Sequence, residues 1–359
     1  MTRTGKAASV ALALVACAGC ASGEAQNAPE PYKLGMFQQG GRAFIGLVVG
    51  DSLVVDLTRA NVNAPSTLQD LIARWDQPTA DRLGQLAGAA QRERPSFAFQ
   101  LSAVKVLLPI SDPNAILMAA RNYAEHATEM AQAGRTAGTT SVIDEKVRSG
   151  IPGLWARQQN DQRPNPYLFP KLKSSLIADG APIVLPPGRT RIDYECELVA
   201  VIGKTAQRVP VDRALDYVFG YMAMTDVSDR EDREDGRYGS DWLISKSYDT
   251  FGPSGPFIVP AQFVGDPQNL AVKYTLSGKV MQDANTALMI HAVRDLISYA
   301  SNIATLAPGD LIGTGTPGGV GEGRVPPVYL KAGDTSVCTI EKIGSLTNPV
   351  QSFRAHATQ

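Results

Sequence analysis

Histidine is scarce in this chain: His126, His291 and His356 are the only three among 359 residues, so imidazole chemistry has few places to reside. Cysteine is nearly as sparse, with Cys17 and Cys20 close to the amino terminus and Cys196 and Cys338 far apart. That is too few for a disulfide framework. Cys196 and Cys338 both stand in strand-like sequence and read as buried thiols, with a bond between them left open. Neither sign of charge is in excess, at 34 basic against 35 acidic residues. No polybasic run and no basic patch interleaved with aromatics occurs, which argues against nucleic acid as a partner. A Walker lysine is missing too. Gly313, Gly315 and Gly318 formally match a Gly-x-Gly-x-x-Gly pattern, but Pro317 interrupts it and Gly319 to Pro327 cannot start the helix a dinucleotide site requires.

What is present is a 44% apolar composition with 33 glycines and 24 prolines, enough for a large core in a turn-rich β architecture. At the amino terminus Arg3 and Lys6 precede the apolar stretch Ala7 to Ala16, and small residues follow. This is the layout of a secretory signal rather than a spanning helix. Leu14-Val15-Ala16-Cys17 resembles a bacterial lipoprotein box, with Cys17 the expected acylated residue and Cys20 a poorer second match. The expectation is a signal over 1–20 and a flexible tether over 21–31, placing the protein in a bacterial envelope or periplasm and touching the membrane only through its lipid anchor. An ordinary signal peptide or a cytosolic tail is the alternative.

Residues 32–103 read as a small unit. Two apolar runs flank Gly50-Asp51 within Phe44 to Leu57, a hairpin pattern, and a helix is expected from Ser66, which could cap it, with Leu68, Leu71 and Ile72 on one face. Nothing catalytic stands out there.

The chemistry concentrates further on. In Ile192-Asp193-Tyr194-Glu195-Cys196-Glu197-Leu198-Val199-Ala200-Val201-Ile202, strand alternation puts Glu195 and Glu197 on one face, roughly 6 to 7 Å apart, and Tyr194, Cys196 and Leu198 on the other. The apolar continuation is that of an interior strand, where paired carboxylates take up protons or hold a cation. Asp226, after the second apolar stretch Gly220 to Thr225, supplies a third oxygen ligand, a set suited to Mg²⁺ first, or to Mn²⁺ or Ca²⁺. For an isolated Glu-x-Glu, a solvated strand edge is the simpler alternative. His126 lies three residues before Glu129, one helical turn, so the carboxylate can orient the imidazole for water activation. His291, beside the apolar residues Met289, Ile290, Val293 and Ile297, reads as solvated on the polar side of a helix, and His356 carries no signal.

These pieces fall in an order that resembles the fumarylacetoacetate hydrolase family over about the last 240 residues. The resemblance rests on Arg121 to Glu129 (RNYAEHATE), Lys171 to Leu176 (KLKSSL), Asp193 to Lys204 (DYECELVAVIGK), Tyr217 to Glu231 (YVFGYMAMTDVSDRE), Ser245 to Phe257 (SKSYDTFGPSGPF), Ser277 to Thr286 (SGKVMQDANT) and Leu306 to Val320 (LAPGDLIGTGTPGGV). It implies an α+β, mostly β fold: a mixed β-roll catalytic domain over 104–359 with a small N-terminal β-rich domain, usually a homodimer. It also implies metal held by Glu195, Glu197 and Asp226, catalysis by His126, Glu129 and Lys246, and substrate binding by Arg230, Arg233, Thr316 and Lys171. Fixed cations such as Lys246 and Arg230 suit a reaction that builds an enolate or a carboxylate leaving group.

The function expected is metal-dependent hydrolysis of a carbon-carbon bond in a small anionic 1,3-dioxo acid, an acylpyruvate or a fumarylacetoacetate-like compound, as in the catabolism of aromatic compounds. Two alternatives stand beside it: a decarboxylase or isomerase of 2-oxo dicarboxylates on the same site, and a non-catalytic ligand-binding envelope lipoprotein. Departures from the family pattern bear on substrate choice. Glu231 and Arg233 stand where Asp and Gln are usual, and Ser245 replaces the glycine before the lysine. The extra charge of Arg233 suggests a more anionic substrate, with a solvent-facing Arg233 among Asp229, Glu231, Asp232 and Glu234 as the alternative. The long connection 132–166 after the dyad is read as an enlarged lid.

Overall fold

The computed structural model describes residue 1 and residues 30–133, 163–231, 234–235 and 239–354. The signal segment with Cys17, most of the expected lid, Arg233 and His356 lie outside the described residues. No described helix is long and apolar enough to cross a membrane.

The central feature is a mixed sheet whose spine is the strand Cys196–Ile202. Its seven residues are all buried, as the apolar run dictates. Val218–Thr225 pairs antiparallel along one edge, with Cys196 opposite Thr225 and Val199 opposite Met222. Leu311–Gly313 pairs along the other and leads to Ile116–Ala119. Gly252–Pro260 continues the sheet beyond Val218–Thr225 and pairs with Tyr32–Gln39 through Leu34 opposite Ile258. From there the ladder runs through Arg42–Val49, Leu53–Asp56 and Ala98–Gln100. The expected hairpin is therefore present, turned at Gly50 and Asp51, both at positive φ.

Alternation along the spine divides the core in two. Tyr194, Cys196, Leu198, Ala200 and Ile202 face one side, packed with residues of a five-stranded second sheet such as Val272, Tyr274, Cys338, Ile340 and Leu346, and with the helix Val293–Ile303. Val199 and Val201 face the other side, with Met222, Met224 and Ile258 and with Leu34, Leu68, Ile72 and Leu83 of the amino-terminal segment. Glu195 and Glu197 share the parity of Val199, so the acids emerge on this second side.

Three expectations need correction. The first helix is Leu68–Ala73 and its cap is Thr67, whose Oγ1 accepts from the Asp70 N–H at 3.1 Å, rather than Ser66. Leu68, Leu71 and Ile72 form the buried face as expected. His291 is buried rather than solvated: the helix begins only at Val293, so His291 precedes it, and its backbone N–H donates to Asn122 Oδ1 while its carbonyl accepts from Asn122 Nδ2. Cys196 and Cys338 are bonded rather than free, with Cα atoms 5.3 Å apart, because strand alternation points Cys196 at the second sheet where Cys338 waits.

Candidate active site

The strand order brings the three acids together. Glu197 lies within Cys196–Ile202; Glu195 sits just before it, in the break after Ile192–Asp193; Asp226 follows Thr225, and its backbone N–H donates to the Glu195 carbonyl at 2.8 Å. One carboxylate oxygen from each of Glu195, Glu197 and Asp226 lies within 4.8 Å of the others, and all three side chains are buried. Glycine makes the room: Gly313 crosses the strand at Val199, and a Cβ there would stand 2.4 Å from Met118 Cε and 2.9 Å from Glu197 Oε2.

Cations surround two of the three acids. Lys246 Nζ donates to Glu195 Oε2 and to Asp226 Oδ2, each at 2.7 Å. It also stands 5.3 Å from the Phe169 ring centroid. Lys171 Nζ donates to Asp226 Oδ1 at 2.8 Å and to the Lys246 carbonyl. Arg230 Nη2 donates to Glu195 Oε1 at 2.5 Å and its Nε to Asp193 Oδ2 at 3.0 Å. Among the described residues no ammonium or guanidinium forms an ion pair with Glu197, whose Oε2 accepts from the Gly315 N–H at 2.9 Å.

The electrostatics follow. Burial raises the proton affinity of Glu195, but the charges of Lys246, Arg230 and His126 more than reverse it and hold this carboxyl well below the usual range. Glu197 goes the other way: burial and the neighbouring charges of Asp226 and Glu195 push it well above. Burial also lowers the Lys171 ammonium, against the attraction of Asp226. A buried carboxylate with no cationic partner, beside two more carboxylates, is a donor set that a hard divalent ion satisfies, so the residues fit such a metal. The expected ligand trio is thus one cluster.

The His126–Glu129 pair is also formed. Both lie on the helix Ala124–Gln132, with His126 Nδ1 at 2.9 Å from Glu129 Oε1. An ionised carboxylate only accepts, so this contact puts a proton on Nδ1, and in the neutral ring the lone pair is then the one on Nε2. Asn122 fixes the start of this helix: its Nδ2 donates to the His291 and Thr314 carbonyls at 2.8 and 2.9 Å. Glu129 is held from the other side by backbone donors, Gly319 N–H to Oε2 at 2.8 Å and Val320 N–H to Oε1 at 3.4 Å.

Thr316, expected to bind substrate through its hydroxyl or backbone, has its hydroxyl engaged within the protein: Oγ1 donates to the Cys196 carbonyl at 3.1 Å and accepts from Gln282 Nε2 at 2.8 Å. Gln282 completes the brace by accepting the Cys196 N–H at 3.1 Å. Two residues of consequence went unassigned from sequence. Asp193 shares the parity of Glu195 and Glu197, a signal that was available. Gln282 offers none, because a lone glutamine in a strand is ordinary until its partners are known.

The family model for the fumarylacetoacetate hydrolase carboxy-terminal region matches residues 115–351. The chain belongs to the fumarylacetoacetate hydrolase family, and its likeness to the tautomerases and hydrolases that follow marks it as an enzyme. A mitochondrial oxaloacetate tautomerase of Homo sapiens is 36% identical over 308 residues, 85% of this chain and 87% of that protein. The corresponding protein of Rattus norvegicus is 34% identical over 297 residues, 83% of each chain. Among solved structures, a fumarylacetoacetate hydrolase from Exiguobacterium antarcticum is 30% identical with a TM-score of 0.68, covering 90% of this chain and 100% of that one. A maleylpyruvate hydrolase from Sphingobium sp. SYK-6, in complex with manganese(II) and pyruvate, is 29% identical with a TM-score of 0.64 and the same coverage.

Proposed function

We propose that this protein is a divalent-metal enzyme that interconverts keto and enol forms of a small 2-oxo dicarboxylic acid of the oxaloacetate type. The observation that carries the reading is the buried triad of Glu195, Glu197 and Asp226 together with the hydrogen-bonded His126–Glu129 pair. Relatives named as oxaloacetate tautomerases, at 34–36% identity over most of the chain, support the substrate class.

Glu195, Glu197 and Asp226 would hold the ion, Mg²⁺ or Mn²⁺, which when bound polarises the oxo group and stabilises negative charge next to it. His126 Nε2 would take a proton from the carbon beside the oxo group and give it to the oxo oxygen to form the enol, or run the reverse transfer to the ketone, with Glu129 stabilising the imidazolium in between. Lys246 keeps fixed positive charge between Glu195 and Asp226. Arg230 holds Glu195 and adds fixed positive charge beside the triad, which suits a dicarboxylate.

Hydrolysis of an acylpyruvate is the second reading. It is favoured by the same His126–Glu129 pair, which can activate water as readily as it can move a carbon-bound proton. The Cys196–Cys338 bond suits an oxidising compartment and supports the exported location read from residues 1–20.

The test follows decay of the enol absorbance of freshly dissolved oxaloacetate with purified protein, Mn²⁺ or Mg²⁺, and then chelator. Acetylpyruvate is assayed alongside for appearance of two acids. Metal-dependent acceleration with oxaloacetate supports the tautomerase; two acid products from acetylpyruvate without that acceleration would replace it with the hydrolase.

A further inference from the structure

Asp193 is a fully buried carboxylate that the reaction above does not use, and it touches both halves of the site. Its Oδ2 accepts from Arg230 Nε at 3.0 Å, and Arg230 in turn donates to Glu195 in the metal-binding triad. Its Oδ1 accepts from the Gly321 N–H at 2.6 Å and the Tyr194 N–H at 2.8 Å, and Oδ2 also takes the Glu322 N–H at 3.1 Å. Gly321 and Glu322 continue the loop whose Gly319 and Val320 N–H groups hold Glu129. The loop is tightly fitted. A Cβ at Gly321 would stand 1.9 Å from the Val328 carbonyl oxygen, and one at Gly323 would stand 2.7 Å from Glu129 Cδ.

We propose that Asp193 is a positioning residue joining the two halves of the site: through Arg230 it sets Glu195 for the metal, and through the Gly319–Glu322 backbone it sets Glu129 against His126. The proposal rests on the reading of the acid triad and the dyad as working parts, and it holds for either reaction. Four donors converge on two oxygens, so the residue must be an acceptor on both sides. An asparagine has one acceptor oxygen; its amide would face N–H donors either at Arg230 and Glu322 or at Gly321 and Tyr194, and one link must break.

The experiment compares full-length wild type, D193N, E129Q and the double variant. Metal binding is read by Mn²⁺ titration and the dyad by the ring ¹⁵N signals of His126, assignable among three histidines. In folded D193N, Mn²⁺ affinity falls about tenfold and the His126 signal leaves the Nδ1-protonated position, effects of the size typical for residues that orient ligands. At saturating Mn²⁺, which masks the loss of metal affinity, kcat on whichever oxo acid is turned over falls at least about tenfold in D193N but less than about threefold when D193N is added to E129Q, because the remaining route runs through Glu129. D193N that keeps both Mn²⁺ affinity and the His126 tautomer overturns the proposal. The two binding readouts need no turnover, so they decide it even where oxaloacetate and acetylpyruvate prove inert. G323A, which crowds Glu129 while leaving Asp193 in place, is the second variant should D193N not fold. It is expected to change the His126 signal with Mn²⁺ affinity intact, and an unchanged signal there breaks the loop-to-dyad link.

Discussion

Glu197 is the acid on which the metal reading depends most, because it alone in the triad lacks a cationic partner among the described residues. Burial and the charges of Asp226 and Glu195 raise its proton affinity well above that of an ordinary carboxyl, so a metal competes with a proton at this group. The sign is fixed: lower pH favours the protonated, metal-free form, so affinity rises with pH until Glu197 ionises unaided. Mn²⁺ titrations are expected to gain about tenfold in affinity per pH unit across that window, with one proton released per ion. Glu197→Gln keeps the shape and removes the charge. It should lower Mn²⁺ affinity by more than the roughly 10–100-fold typical of residues that only orient ligands, abolish turnover, and flatten the pH dependence. An active, metal-free variant would dismiss the mechanism.

At the scale of elements, the strand Cys196–Ile202 shows what a sequence can and cannot convey. Its burial and the common face of Glu195 and Glu197 were legible, because alternation is local chemistry written every second residue. The helical turn joining His126 to Glu129 was legible for the same reason. The disulfide, the engagement of the Thr316 hydroxyl and the hub at Asp193 were not, since each depends on partners 120 to 142 residues away in the chain or on backbone N–H groups that carry no sequence signature. The Cys196–Cys338 bond fastens the spine to the second sheet, but seven register pairs with Val218–Thr225 already hold the spine in place. Replacing Cys338 with alanine is therefore expected to cost about 2–4 kcal/mol in chemical denaturation, as closing a long loop implies. Mn²⁺ affinity should stay within about threefold; a larger loss would show that the bond, not the ladder, sets the Glu195–Glu197 geometry.

For the molecule as a whole, the question is whether residues 32–103 are a detachable accessory or part of one core. The ladder crosses from Tyr32–Gln39 to Gly252–Pro260 through Leu34 and Ile258, and the apolar cluster on that side contains Leu34, Leu47, Leu68, Ile72 and Leu83 together with Val201, Phe219, Met222 and Ile258. Removing the amino-terminal segment would leave Ile258 and its neighbours facing water and open a long strand edge, both of which favour association between chains. A fragment spanning 104–359 should then bind an apolar dye and aggregate on heating, while the chain from residue 30 onward unfolds in one calorimetric transition. The acid triad lies on the same side of the sheet as this shared cluster, since Glu197 has the parity of Val199 and Val201. Loss of the segment should therefore also loosen the metal site. A 104–359 fragment that stays monomeric, melts cooperatively and binds Mn²⁺ with full affinity would show instead that the amino-terminal unit is an attachment to a self-sufficient catalytic body.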